Sequence, residues 1–406
     1  MHAWSPYKQV WVYDTEFYAP DGHFPRVLCL VAKELKSGDI IRLWEDDLCQ
    51  LPPFDVGSDN LFIAYYASAE IGCHFQLGWA PPTHLIDMYT EFRVATNGLF
   101  AERGKKAKAG LLDALHYYGL AGIDQQAKDD MRELAKRGGF YTLKERKDLL
   151  HYCQSDVEEL ASLVHTMAPG IDVPRALWRG QYSIAEARII RTGIPMDVPA
   201  LSLIRHHRLE IMERFVNDID SQYGVYDGTK LNKERFAQYL YDQGIQWPTN
   251  QEDPSKLCLQ YKTFKEMARV YPRLEPLKVL RRTLSNLKHE QIAIGPDDRN
   301  RTLLSIFGAI TGRNTTSGNK QPLGLAKWWR CLIKPPPGYG LAYIDWSQQE
   351  FAIAAALAND TAMQNAYAST DPYLDFAQRA GLIPPGGTKA QYGVRGASGG
   401  KYTVRE

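Results

Sequence analysis

Four apolar residues, Val10-Trp11-Val12-Tyr13, run straight into two carboxylates two positions apart, Asp14 and Glu16. Side chains at i and i+2 of a strand point to one face. A strand carrying this segment therefore sets two acids side by side at its end. Carboxylates that close repel unless a cation lies between them. Hard divalent cations take oxygen ligands, and two of them about 4 Å apart can clamp the attacking and leaving oxygens of a phosphodiester. The pair calls for more acids from elsewhere in the chain. Glu70 is one candidate, just beyond Leu61-Phe62-Ile63-Ala64-Tyr65, which reads as a central strand. Asp156 is another, in Tyr152-Cys153-Gln154-Ser155-Asp156. On a helix, Tyr-x-x-x-Asp puts both residues on one face. The Tyr152 hydroxyl can then orient an attacking water beside the metal. Asp87, in His84-Leu85-Ile86-Asp87, is a fallback ligand.

The surrounding pattern suggests several domains. Arg26 to Lys33 and Ile40 to Trp44 read as further strands, with Ser37-Gly38-Asp39 as the turn between them. Lys147 to Met167 spaces its apolar residues at helical intervals, and Ala168-Pro169-Gly170 ends the pattern at an expected boundary. Residues 175–300 are mostly helical in pattern, with candidates over Arg175–Arg191, Ala200–Tyr223, Asn232–Gln243 and Pro276–Gln291. Past residue 300 come Gly-, Thr- and Asn-rich segments, then a strand, then a helix. There are no internal repeats.

The 406 residues are 44% hydrophobic and 23% charged, which suits two or three globular domains with their own cores. The net charge of +1 means that any surface for nucleic acid must be local. Six scattered cysteines, none in a C-x-x-C pair, argue against a zinc knuckle or a disulfide framework and suit a reducing cytoplasm. No run of about 18 apolar residues appears, and the N-terminus does not read as a signal peptide. A soluble intracellular protein with no membrane partner is expected.

Asp-x-Glu on the first strand, a later acid, and then Tyr-x-x-x-Asp resemble the DEDD exonuclease superfamily, tyrosine subtype. Its members include the proofreading domains of family A (DNA polymerase I type) DNA polymerases. The second motif of that family usually carries Asn and, four residues on, Asp; here Tyr66 and Glu70 stand in those places. A second resemblance supports the same family. Asp345-Trp346-Ser347-Gln348-Gln349-Glu350 is similar to its motif A, Asp-Tyr-Ser-Gln-x-Glu, following the apolar Ala342-Tyr343-Ile344 that reads as a strand. Trp346 keeps the aromatic plane of the usual Tyr and loses the hydroxyl.

The resemblance implies an α/β chain in three parts. These are a ribonuclease H-like 3′→5′ exonuclease domain over 1–168, a helical thumb over 175–300, and the N-terminal part of an α+β polymerase palm over 301–406. It implies two Mg²⁺ or Mn²⁺ ions per active site, held by Asp14, Glu16, Glu70 and Asp156 in the exonuclease and by Asp345 in the palm. Glu350 resembles the residue that selects deoxynucleotides. Thr311-Gly312-Arg313 resembles an element whose arginine reaches the primer's minor groove, and Arg330 resembles the arginine just before motif A; both are implied DNA contacts. Arg282 and Lys288 resemble thumb residues that neutralise backbone phosphates. The implied partner is DNA, as a primer–template or a single-stranded 3′ end, and the implied role is replication or repair. A compact polymerase of this type without a 5′-nuclease domain is phage-like, which would place it in the host-cell cytoplasm.

The family's nucleotide-gripping helix, Arg-x-x-x-Lys-x-x-x-x-x-x-Tyr-Gly, and its His-Asp-Glu turn are not present. Residues 386–406 hold six glycines and depart from the family pattern. A frameshift or split gene near residue 390 is one expectation, and no DNA synthesis is expected from this chain alone. Alternatives are a stand-alone nuclease, a non-catalytic DNA-binding fragment, and one half of a split polymerase completed by a second chain carrying the rest of the palm and fingers.

Overall fold

The computed structural model describes residues 4–97, 99, 109–122, 125–250, 253–287, 292–316, 322–323, 327–369 and 371–388, and the backbone of Val394–Arg395 and Lys401–Tyr402. The chain divides into two compact units. One is 1–201 with 291–335, and the other is 202–290 with 336–406.

The first unit is built on a five-stranded sheet. Its strands are β1 (Gln9–Tyr18), β2 (Arg26–Glu34), β3 (Ile40–Trp44), β4 (Asn60–Ala64) and β5 (Leu85–Asp87), in the spatial order β3-β2-β1-β4-β5. β2 runs antiparallel to β1 and β3, and β4 is parallel to both β1 and β5. All five residues of β4 are buried, as a central strand covered on both faces must be. α1 (Ser68–Leu77), α2 (Met88–Ala95), α3 (Leu111–Tyr117), α4 (Gln125–Arg137), α5 (Leu143–Met167) and α6 (Val173–Thr192) complete its main frame.

Each face has its own core. Trp11, Tyr13, Leu30, Phe62 and Leu85 pack with Ile71 of α1 and Ile184 and Ala187 of α6. Val10, Val12, Leu28, Val31, Leu61 and Ile63 pack with Leu115 of α3 and Leu149, Cys153, Val157 and Leu160 of α5. α5 starts at a capping box: Thr142 Oγ1 accepts from Glu145 N, and the Glu145 carboxylate accepts from Thr142 N.

α6, which the sequence groups with the helical region that follows, lies directly on β5. A Cβ on Gly180 would stand 1.8 Å from the Leu85 carbonyl oxygen, so only glycine permits this approach. Arg179 grips the Glu91 carboxylate of α2 with two bonds of 2.7 and 2.6 Å. The later segment of this unit is pinned to the same frame. Tyr66 Oη donates to Leu304 O, and Arg93 donates to the carbonyls of Phe307 and Gly308.

The second unit contains α8 (Arg208–Asp220), α9 (Lys233–Asp242), α10 (Tyr261–Val270) and α11 (Glu275–Leu287), with α7 (Val198–His206) running into it. Met212, Val216, Phe236, Phe264, Leu277, Leu280 and Leu284 form its core. Ala200–Tyr223, which reads as one helix, is two: the backbone leaves helical geometry at His207, whose ring meets Glu210 at 2.9 Å. α10 was not expected; its Phe264, Met267 and Ala268 are buried at helical spacing. α12 (Gln349–Leu357), α13 (Thr361–Ala368) and α14 (Pro372–Arg379) follow, the last capped by Asp371. Among the described residues, no helix is long and apolar enough to cross a membrane.

Candidate active site at the end of the first strand

The alternation along β1 decides which helix its acids meet. Val10 and Val12 point to the face covered by α5. Asp14 and Glu16 continue that alternation. On α5, Leu149, Cys153, Val157, Leu160 and Val164 face the core. Tyr152, Asp156 and Glu159 line the adjacent edge of the helix. The two patterns converge, so that one oxygen each from Asp14, Glu16 and Asp156 lies within 4.8 Å of the others. Immediately after Glu16 the pairing with β2 slips at a bulge, which ends the regular ladder beside the acids.

Crowding and burial make the charges costly. Burial first, and then the Asp156 carboxylate, push Asp14 up to about 7. Cys153, whose Sγ donates to Asp14 Oδ2 at 3.3 Å, and the Lys128 charge act the other way. Glu16 is held well above the usual carboxylate range by burial and by Asp14. Burial pushes the Cys153 thiol up, so the site offers oxygen and no thiolate. Three clustered carboxylates, with Asp14 and Asp156 on the wall of a cavity, are a donor set suited to a hard divalent ion such as Mg²⁺ or Mn²⁺. Burial, and then the charges of Asp156, Glu16 and Asp14, push the Tyr152 pKa up, so it stays a phenol.

Glu70 sits in the first turn of α1, 4% exposed, outside the group of three. It is linked to them by charge: burial and then Asp14 hold its carboxyl well above the usual range. Its Oε2 is buried with no hydrogen-bond partner among the described residues. Asp87, the fallback ligand, is already engaged. Its carboxylate accepts from Tyr66 N, Tyr89 N, Thr90 Oγ1 and Ser183 Oγ at 3.0–3.3 Å. It is the N-cap of α2 and a tie to α6, so a metal would have to displace a complete set of donors. Tyr66, in the place where the resembled motif has Asn, adopts a left-handed φ of 67°. Its N–H supplies one of those four bonds.

Two features escaped the sequence reading. A cavity of about 640 Å³ opens beside Asp14, Tyr152 and Asp156, with Tyr65, Tyr66, Tyr89, Arg93 and Arg132 on its walls. Lys128 of α4, only 4% exposed, enters it with Nζ 2.7 Å from Asp156 Oδ1 and 3.2 Å from Glu159 Oε2. In the sequence, Lys128 is one charge in a run rich in charges, and nothing marks it out.

Of the other expected site residues, Arg282, Arg313, Arg330, Asp345 and Glu350 are exposed, and Lys288 lies outside the described residues. The neighbours Arg281 and Arg282 divide their roles. Arg281 donates to Leu259 O and stacks over Phe264, while Arg282 lies over the Tyr261 ring on the surface. The strand expected over Ala342–Asp345 does not form: the segment is irregular, with Tyr343 87% and Ile344 79% exposed. A strand needs a hydrogen-bonded neighbour, and none among the described residues pairs with it.

No protein-family profile matches the chain, and no curated protein matches it. Solved structures do. The polymerase domain of Pol1 from M. smegmatis, solved in complex with DNA primer-template and dNTP, aligns with a TM-score of 0.59 at 16% sequence identity. The alignment covers 92% of this chain and 63% of that one, so the chain spans less than two thirds of its neighbour's length. At that identity the likeness is one of fold, and the fold is that of a DNA polymerase domain.

Proposed function

We propose that the first unit is a metal-dependent 3′→5′ exonuclease of the DEDD type, within a chain of family A DNA polymerase descent. The observation that carries this reading is the convergence of Asp14, Glu16 and Asp156 from β1 and α5 on one point beside Tyr152. The sheet order, with β2 alone antiparallel to the rest, supports a ribonuclease H-like domain. The cavity suits a single-stranded 3′ end: Tyr65, Tyr66 and Tyr89 offer ring faces to bases, and Arg93, Lys128 and Arg132 offer charge to phosphates. Asp14, Glu16 and Asp156 would hold Mg²⁺ or Mn²⁺, with Glu70 close behind. When bound, the metal supplies an activated water and offsets the phosphate charge. In the hydrolysis, water adds at phosphorus, the bond to the 3′-oxygen breaks, and a nucleoside 5′-monophosphate leaves. Tyr152, kept protonated, orients the water.

The same reading assigns Asp345 to the palm, Glu350 to nucleotide selection, and Arg282, Lys288, Arg313 and Arg330 to the DNA backbone, in replication or repair. Digestion of a 5′-labelled single strand with Mg²⁺ or Mn²⁺ tests the nuclease. Stepwise shortening that is lost in Asp14→Ala/Glu16→Ala is expected. No shortening by folded wild type would sink the reading.

One observation favours a second reading, half of a split polymerase. Tyr339, Leu341, Tyr343, Ile344 and Trp346 are 65–87% exposed around motif A, as they would be if another polypeptide supplied the pairing strands. Primer extension by the pure chain would contradict it.

A further inference from the structure

A second divalent ion at this centre would need carboxylate oxygens that no other cation already faces. At Asp156 another cation is in place. Lys128 comes from α4, an element that contributes no acid to the group of three, and its ammonium lies 2.7 Å from Asp156 Oδ1. It is fixed there by a second contact, 3.2 Å to Glu159 Oε2, three residues further along α5. Lys128 and Glu159 are both buried, so the ammonium is not a surface charge that merely swings past. With Asp156 Oδ1 ion-paired to Lys128, one oxygen each from Asp14, Glu16 and Asp156 lies within 4.8 Å of the others. Three carboxylates and a few waters complete one small divalent ion. Glu70, the other nearby acid, stands outside that group.

We propose that Lys128 is the second cation of this centre: the site takes one divalent ion, and the Lys128 ammonium fills the place of another. This rests on the nuclease reading and specifies its chemistry. An ammonium carries half the charge of a divalent ion, and it holds Asp156 and Glu159 as an ion-pair partner and not as a coordinating metal. It can balance Asp156 and present N–H donors to a phosphate oxygen in the adjoining cavity. The ion supplies the activated water; Lys128 transfers no proton and acts through its charge.

The test is a count of bound Mn²⁺ by electron paramagnetic resonance, on wild type, Lys128→Met, Lys128→Arg and Asp14→Ala/Glu16→Ala, each shown folded by circular dichroism. Expected at saturation are one Mn²⁺ per chain for wild type and Lys128→Arg, two for Lys128→Met, and none for the double variant. Two ions on wild type, or one on both wild type and folded Lys128→Met, would overturn the assignment of Lys128. If Lys128→Met does not fold, the wild-type count still decides, because two ions there refute the proposal. No ion on wild type would overturn the nuclease reading itself, which separates the two failures.

Discussion

Replacing Asp14 by Asn should stabilise the metal-free protein at alkaline pH while abolishing its response to metal. The magnitude follows from the site. Asp14 is raised from 3.8 to about 7 by burial and by Asp156. Below pH 4 the carboxyl is protonated in both the folded and unfolded states and contributes nothing. As pH rises from about 4 to 7, the unfolded chain ionises while the folded protein retains the proton, so stability falls. Above pH 7 the loss is complete. Each pH unit is worth ~1.4 kcal/mol, so the ceiling is on the order of 4 kcal/mol. Part of that ceiling is shared with Glu16, whose own carboxyl is raised by Asp14. For a unit of this size, each kcal/mol moves the melting temperature by about 2–4 °C. Thermal melts followed by circular dichroism at pH 5 and pH 8, with and without Mn²⁺, read the effect. Asp14→Asn should melt several degrees above wild type at pH 8 without metal, and the gap should narrow at pH 5. Mn²⁺ at pH 8 should raise the wild type and leave the variant unmoved. A variant that melts at or below wild type at pH 8 without metal would refute the electrostatic argument.

Four further outcomes are expected. Glu70→Gln should lower exonuclease rate or metal affinity by roughly 10–100-fold, the usual effect of a group just behind the ligands, and less than Asp14→Ala; single-turnover digestion measures it. Arg179→Met should destabilise the first unit by about 3–5 kcal/mol, because it leaves the Glu91 carboxylate buried without its partner; urea denaturation measures the loss. Gly180→Ala drives a methyl into the Leu85 carbonyl and should cost at least ~1–3 kcal/mol by the same assay. Arg282→Met should weaken DNA binding and lower its salt slope by about 1, whereas Arg281→Met should chiefly lower stability, since Arg281 is bonded inward to Leu259 O.

Local patterns carried most of the site's acids. Alternation on β1 is enough to set Asp14 and Glu16 on one face, and helical spacing is enough to bring Tyr152 and Asp156 together on α5. What stayed hidden depends on long-range contact. Lys128 reaches Asp156 from α4, where it is one charge in a run rich in charges. Asp87 was ambiguous for another reason: a carboxylate at the start of a helix can ligate a metal or cap the backbone, and four donors, from α2, α6 and the turn at Tyr66, hold it as a cap. The apolar run Ala342-Tyr343-Ile344 has the composition of a strand, yet composition supplies no partner, and the segment remains irregular. Gly180 lies inside the expected helix Arg175–Arg191, and the reason for a glycine there is the Leu85 carbonyl, far away in sequence.

The proposed nuclease depends on Asp14, Glu16 and Asp156 forming a divalent-metal centre. Anomalous diffraction at the manganese edge, from crystals soaked in Mn²⁺, tests it most directly. A peak among those three carboxylates that is lost in Asp14→Ala/Glu16→Ala is expected. No peak there at saturating Mn²⁺ would contradict it.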